Sequence, residues 1–64
     1  MKLTPEQLKS LRRFKGEMNI TIVALSEKVG ISRFTLSKAL KDQSITSTNV
    51  NKINDWLLKQ YLNN

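Results

Sequence analysis

The sequence predicts an all-α fold, a small bundle of four to five helices. Apolar residues recur at spacings of three and four in several segments, whereas strand-like alternation never extends beyond a few residues. A Ser or Thr precedes each of these segments, in the position that a helix N-cap favours. The 64 residues suffice for one domain with a thin hydrophobic core, so we treat residues 1–64 as a single domain.

The first helix is predicted over about residues 5–18. Thr4 is its N-cap, and Gln7 completes a capping box. Leu3 and Leu8 fall at the two positions of a hydrophobic staple, which fixes the entry of the chain into a helix. The basic residues Lys9, Arg12, Arg13 and Lys15 lie mostly off the apolar stripe. The first three of them are interpreted as a solvated face, with phosphate contacts as the alternative.

The second and third helices are predicted to be short and to be separated by a glycine. Thr21 precedes a helix over residues 22–28, and Gly30 follows it in the position of a left-handed C-terminal residue. The third helix runs from Arg33 to about Lys41. Two short helices joined by such a turn form a helix-turn-helix, which we place at about residues 21–41.

The spacing around Gly30 fits the packing of a helix-turn-helix. Apolar residues before and after the glycine fasten two steeply crossed helices to the rest of the core. These residues are Leu25, Val29, Ile31, Leu36 and Ala39. A small residue, Ser26, stands where the two helices meet and a larger side chain would not fit.

The fourth helix is predicted over about residues 48–62, with Ser47 or Thr48 as its N-cap. The loop before it is polar except for Ile45. The helix carries more apolar residues than one buried face requires: Trp56, Leu57, Leu58, Tyr61 and Leu62. Three interpretations of this cluster stay open, which are completion of the core, a homodimer contact, and a contact with a different protein.

The amino-acid composition restricts the classes of function that the protein can have. The chain carries 11 Lys and Arg against 5 Asp and Glu, a formal net charge of +6, and it has no Cys and no His. This excludes disulfides, the usual zinc sites and Cys- or His-based catalysis, and we expect neither an enzyme nor a cofactor. The charge favours a phosphate-bearing partner. Because no apolar run approaches the about 20 residues of a membrane span, we expect a cytoplasmic protein without a membrane partner.

Residues 21–32 resemble the helix-turn-helix of the phage Cro and CI-type repressor family, and residues 33–40 resemble the recognition helix of lactose-repressor-type proteins. The helical layout of the phage family covers the whole chain. Ser26 departs from the family's usual Ala, and Ile22 and Val23 stand where phage repressors usually carry Gln or acidic residues. The chain is also similar to the small Cro-like modulators of repression of temperate lactococcal phages, which act by binding the phage repressor.

The family resemblance implies a regulator of the lysis–lysogeny switch whose third helix enters the major groove of double-stranded operator DNA in a bacterial host cell. Arg33 can donate two hydrogen bonds to guanine, and Phe34 can contact a thymine methyl group. The residues implied on the DNA side are Thr21, Ser32, Arg33, Phe34, Ser37, Lys38 and Lys41. The alternatives are a solvated face for Arg33 and Lys38 and burial of Phe34 in the core.

The second functional interpretation is an antirepressor that binds a phage CI-type repressor and masks its DNA-binding surface. Apolar residues stand where the motif is normally exposed, and the recognition helix offers no Asn or Gln for adenine. Exposed apolar clusters on small proteins usually mark an interface. The residues assigned to this protein interface are Ile22, Val23, Phe34, Trp56, Leu58, Tyr61 and Leu62.

Overall fold

Four α-helices make up the structure, a computed structural model that describes residues 1–63. In chain order they are α1 (Pro5–Met18), α2 (Ile22–Val29), α3 (Arg33–Leu40) and α4 (Ser47–Leu62). No strand occurs within residues 1–63, so the all-α prediction is confirmed and the bundle has four helices. None of these helices is long and apolar enough to cross a membrane.

Each helix begins directly after a Ser or Thr whose hydroxyl oxygen accepts a hydrogen bond from the third helical amide. The four N-caps are Thr4, Thr21, Ser32 and Thr46. The capping box of α1 is complete, because the Gln7 side chain accepts from the Thr4 amide at 2.9 Å. The prediction placed the cap of α4 one or two residues too late. Thr46 has the extended backbone that a cap needs, and the hydroxyl-bearing residues after it are already helical.

A residue with a positive φ follows each of the first three helices, either directly or after one further residue. Gly30 has φ +86°, as the sequence predicted. Asn19 (φ +52°) and Asp42 (φ +60°) take the same conformation after α1 and α3. Asn and Asp tolerate a positive φ better than other non-glycine residues. The residue types at positions 19 and 42 could therefore have predicted these helix ends. Gly16 lies inside α1, which continues past it to its C-cap Asn19.

The hydrophobic core takes one fully enclosed aliphatic side chain from each helix. These side chains are Leu11, Leu25, Leu36 and Ile53. The five apolar positions predicted around the turn all join this core, with Ile31 half-buried and the other four buried. Leu3 and Leu8 are buried as well, which agrees with the hydrophobic staple expected at the start of α1.

Trp56 belongs to the core and not to an exposed interface. Its side chain is 7% exposed, and its ring meets the ring of Phe14 edge to face at a centroid distance of 5.9 Å. Tyr61 packs on the same Phe14 ring at 5.6 Å, and its hydroxyl shares a 2.7 Å hydrogen bond with Ser10 Oγ. The prediction of Trp56 as an interface residue was wrong, because α1 supplies an aromatic partner that the pattern of α4 alone does not reveal.

The first residue of the chain is paired with the loop between α3 and α4. The amino group of Met1 donates to the carbonyl of Ile45 at 2.7 Å, and the Ile45 amide donates to the carbonyl of Met1 at 2.6 Å. The Ile45 side chain is buried in the core. This otherwise polar loop is therefore held at a defined place beside α3.

The two glycines of the chain give a matched test of the fold. Gly30→Ala is expected to lower the free energy of unfolding by about 1–2 kcal/mol, since alanine is strained at a positive φ. Gly16→Ala is expected to raise it by about 0.5–1 kcal/mol, because Gly16 lies inside a helix and no atom obstructs an added Cβ. Urea denaturation followed by circular dichroism measures both, and equal effects of the same sign would contradict the backbone assigned to Gly30.

Candidate nucleic-acid interface

The turn between α2 and α3 is built from backbone hydrogen bonds around Ser26. The amides of Gly30 and Ile31 both donate to the Ser26 carbonyl, at 2.8 and 3.1 Å. The Ser26 side chain is 4% exposed, and its hydroxyl donates to the carbonyl of Val23 at 2.7 Å. Serine is therefore tolerated at this buried position of the motif, because its hydroxyl group has a hydrogen-bond partner.

Helix α3 has a buried side and an exposed side. Leu36 and Ala39 are buried in the core, and Leu40 is half-buried. The opposite side carries the exposed residues Arg33, Phe34, Lys38 and Lys41, while Ser37 is half-buried at its margin. Phe34 is 69% exposed, so its alternative placement in the core is wrong. The structure thus brings together on one helix most of the side chains that the sequence assigned to DNA.

The two N-cap hydroxyls assigned to DNA already have partners within the chain. Thr21 Oγ1 accepts from the Ala24 amide at 3.1 Å. Ser32 Oγ accepts from the Thr35 amide at 3.1 Å and donates to Thr35 Oγ1 at 2.9 Å. Both residues are exposed, and their hydroxyls serve first to begin α2 and α3.

The first two residues of α3 form a stacked pair. The guanidinium carbon of Arg33 lies over the ring of Phe34, 5.0 Å from its centroid. A guanidinium above an aromatic face is attracted by the electrons of the ring, and its planar edge keeps its N–H donors. The pair therefore combines an apolar surface with a forked donor at the exposed start of α3.

Two basic residues from other helices donate to backbone carbonyls of the helix-turn-helix. Arg12 Nη2 of α1 donates to the carbonyl of Leu40 at 2.6 Å, where the last carbonyls of a helix lack helical partners. Lys52 Nζ of α4 donates to the carbonyl of Gly30 in the turn at 3.4 Å. Arg12 is exposed, as the solvated-face interpretation predicted, and its guanidinium in addition links α1 to the end of α3. Its contact lies 28 positions away, beyond any spacing that a sequence pattern reveals.

A shallow cleft of about 360 Å³ lies beside α3. It is lined by Thr35 and Lys38 of α3, by Ser44, Ile45 and Thr46 of the following loop, and by Asn49 of α4. The lining contains one cation, several hydroxyl groups and no carboxylate, so its chemistry suits an anion better than a metal ion. Within residues 1–63 no group of acidic side chains could hold a metal ion. The sequence did not single out this cleft, since its lining comes from α3, the loop and α4 and the loop is held in part by the distant residue Met1.

The apolar residues assigned to a protein interface divide into two exposed groups. The first group lies on the helix-turn-helix, where Val23 of α2 is 44% exposed and Phe34 of α3 is 69% exposed. Ile22 is half-buried and packs against the core, so its assignment as an exposed residue is corrected. The second group lies on α4, where Leu58, Tyr61 and Leu62 are exposed and Leu62 is the most exposed at 84%.

The fold and this surface define a small all-α protein with two short helices joined by a three-residue turn, the second of which carries a basic outer side. Comparison with known proteins found no family model, no curated protein and no solved structure that matches the chain. The resemblance to the Cro and CI-type family therefore stays a prediction from the residues of the motif. The exposed residues of α2, α3 and α4 are therefore the basis on which a function is assigned.

The contact between Arg12 and α3 predicts a difference between two neighbouring arginines. Arg12→Met is expected to lower the free energy of unfolding by about 1 kcal/mol, since it removes a charged donor from a helix C-terminus. Arg13→Met is the control, with an expected effect within about 0.5 kcal/mol. Its ion pair with Glu17 spans 3.6 Å on the surface, and methionine can replace the contact of its guanidinium with the Phe14 ring by a contact of sulfur with the same ring. Equal losses in urea denaturation would show that the Arg12 contact does not stabilise the fold.

Proposed function

We propose that the protein binds double-stranded operator DNA through α3 and acts as a phage-type transcriptional regulator of the lysis–lysogeny switch. The observation that carries this proposal is the exposed side of α3, where a forked donor and two lysines stand on the side opposite the core. Arginine can read guanine in the major groove, and lysines suit the phosphates beside it. The proposal places the protein in the cytoplasm of a bacterial host cell.

The distribution of charge along the chain supports this proposal. The segment from residue 28 to residue 41 contains four basic residues and no acidic one. They are Lys28, Arg33, Lys38 and Lys41. The polar cleft next to Lys38 adds hydroxyl groups that can donate to a phosphate oxygen. Base contact and phosphate contact therefore come from the same side of the molecule.

The size of the protein favours two copies on one operator. Its longest dimension is 28 Å, which is shorter than the about 34 Å that separate successive major-groove segments on one face of DNA. One copy therefore reaches one half-site and neutralises few phosphates. A homodimer would place two α3 helices one helical turn apart, and the exposed group of Leu58, Tyr61 and Leu62 on α4 is apolar surface on which two copies can pair.

The proposal predicts how DNA affinity depends on Lys38. Lys38→Ala is expected to weaken binding to all DNA sequences and to reduce the slope of log K against log salt by about 0.9 per protein copy, because one phosphate contact is lost. Lys59→Ala is the matched control and should change neither quantity. Lys59 stands ten residues after Asn49 of the cleft, about 15 Å further along α4. Fluorescence anisotropy with a duplex of the neighbouring promoter measures both, and equal slopes for the two variants would contradict binding through α3.

A second candidate function is antirepression, and the exposure of Phe34 and Val23 favours it. We propose in this case that the two side chains insert into a phage CI-type repressor and mask its DNA-binding surface. Exposed aromatic and large apolar side chains are typical of the centre of a protein interface, and both residues lie on the helix-turn-helix. A gel shift on the neighbouring promoter separates the candidates. A DNA-binding regulator retards the duplex by itself, whereas an antirepressor releases the duplex from the co-encoded repressor.

The antirepressor candidate predicts a 1:1 complex that depends on the α2–α3 surface. Phe34→Asp and Val23→Asp are each expected to raise the Kd for the repressor by about 30-fold or more, as at the centre of an interface. Lys59→Asp, at an exposed position of α4 outside both apolar groups, is the control and should leave the Kd unchanged. Ile22→Asp is unsuitable because Ile22 packs against the core. Calorimetric titration measures the Kd, and wild-type affinity in both α2–α3 variants would exclude this candidate.

A further inference from the structure

The exposed apolar group of α4 is a second surface, separate from the basic side of α3. It consists of Leu58, Tyr61 and Leu62, and Leu62 is 84% exposed. Asn49, near the start of the same helix, lines the cleft beside α3. Leu62 lies about 20 Å further along α4 than Asn49. One copy of the protein can therefore hold DNA with α3 and a partner with this group at the same time.

The charges around this group fit a second copy of the same chain. Between residues 53 and 63 the sequence has one acidic residue, Asp55, and one basic residue, Lys59, so this segment has no net charge. Two copies that meet there do not repel one another. The segment from residue 28 to residue 41, which carries the exposed Phe34, has only basic charges, so two copies would repel one another there. Of the two exposed apolar groups, that of α4 is the one on which two copies can meet.

The group is too small to hold a stable dimer in solution. A whole aromatic side chain buries about 150–250 Å², and half of Tyr61 is already covered within its own chain. Leu58 is half-covered as well. The three side chains together offer less than about 500 Å², whereas a stable interface takes about 800 Å² from each partner. Contact through this group alone therefore gives a weak association.

We propose that two copies pair through the α4 group only when DNA holds them side by side, so that their pairing makes operator binding cooperative. The inference rests on the proposed binding of α3 to DNA and adds the partner of α4. Half-sites one helical turn apart are separated by about 34 Å on one face of the duplex, and one copy is 28 Å long. Neighbouring copies therefore lie close together, and the DNA provides the effective concentration that the small contact requires.

The experiment compares a duplex that has one half-site with a duplex that has two. Duplexes that the wild-type protein selects from a random-sequence pool at low salt are expected to contain one short sequence twice, one helical turn apart. The affinity per copy for such a duplex should exceed that for a single half-site by about tenfold or more. Inserting about five base pairs between the half-sites turns the two copies to opposite faces and should remove this gain. Analytical ultracentrifugation of the free protein at micromolar concentration should show a monomer.

Substitutions in the two exposed apolar groups test which surface makes the contact. Leu58→Asp and Leu62→Asp should each abolish the gain from the second half-site and retain the affinity for a single one, because burying an unpaired carboxylate opposes pairing. Val23→Asp makes a similar change on α2 and is the control. Its ratio of affinities for the two duplexes should equal that of the wild type. Circular dichroism confirms that each variant is folded.

The outcomes separate this inference from the proposed function. A stable dimer without DNA, equal affinity per copy for the two duplexes, or a gain that survives both α4 substitutions would overturn the inference and leave DNA binding intact. Absence of binding to any duplex would overturn the proposed function as well.

Discussion

Four enclosed aliphatic side chains, one from each helix, are the contact on which the rest of the structure depends. Leu11, Leu25, Leu36 and Ile53 belong to one core, which no disulfide assists because the sequence has no Cys. Because Leu25 and Leu36 lie on either side of Gly30, the same packing sets the angle between α2 and α3. The exposed side of α3 is therefore a consequence of how its other side is buried.

Local signals in the sequence predicted most of the fold. The features that they did not predict depend on contacts between distant segments of the chain. A Thr or Ser before each helix and a glycine in the turn act within a few residues, so the helices could be placed closely. The position of Trp56 depends on Phe14 of another helix, and the shape of the loop before α4 depends on Met1. No spacing within one segment reveals such contacts. For the site, residue type and helical position predicted the exposed side of α3. The cleft beside Lys38 could not be predicted in this way, because α3, the loop and α4 together line it.

A count of charges does not tell how many of them are available to a partner. Of the eleven basic residues, Arg12 donates to the carbonyl of Leu40 at the end of α3 and Lys52 to the carbonyl of Gly30 in the turn, while Arg13 pairs with Glu17. The same net charge of +6 therefore has two uses. Some basic residues donate to backbone carbonyls of the helix-turn-helix, and others are exposed on the outer side of α3. The stack of Arg33 on Phe34 combines the two uses at one position, since it orders a side chain and leaves its donors free.

The pairing of Met1 with Ile45 links two properties of the molecule. Residues 44 positions apart in the chain exchange two backbone hydrogen bonds, and Ile45 also lines the cleft beside Lys38. Met1 is exposed, and exposed backbone hydrogen bonds open more readily than those of packed helices. Opening of this pair would remove one support of the cleft lining while the helices stay packed. How constant the shape of the cleft is in time therefore depends on two hydrogen bonds that lie outside all four helices.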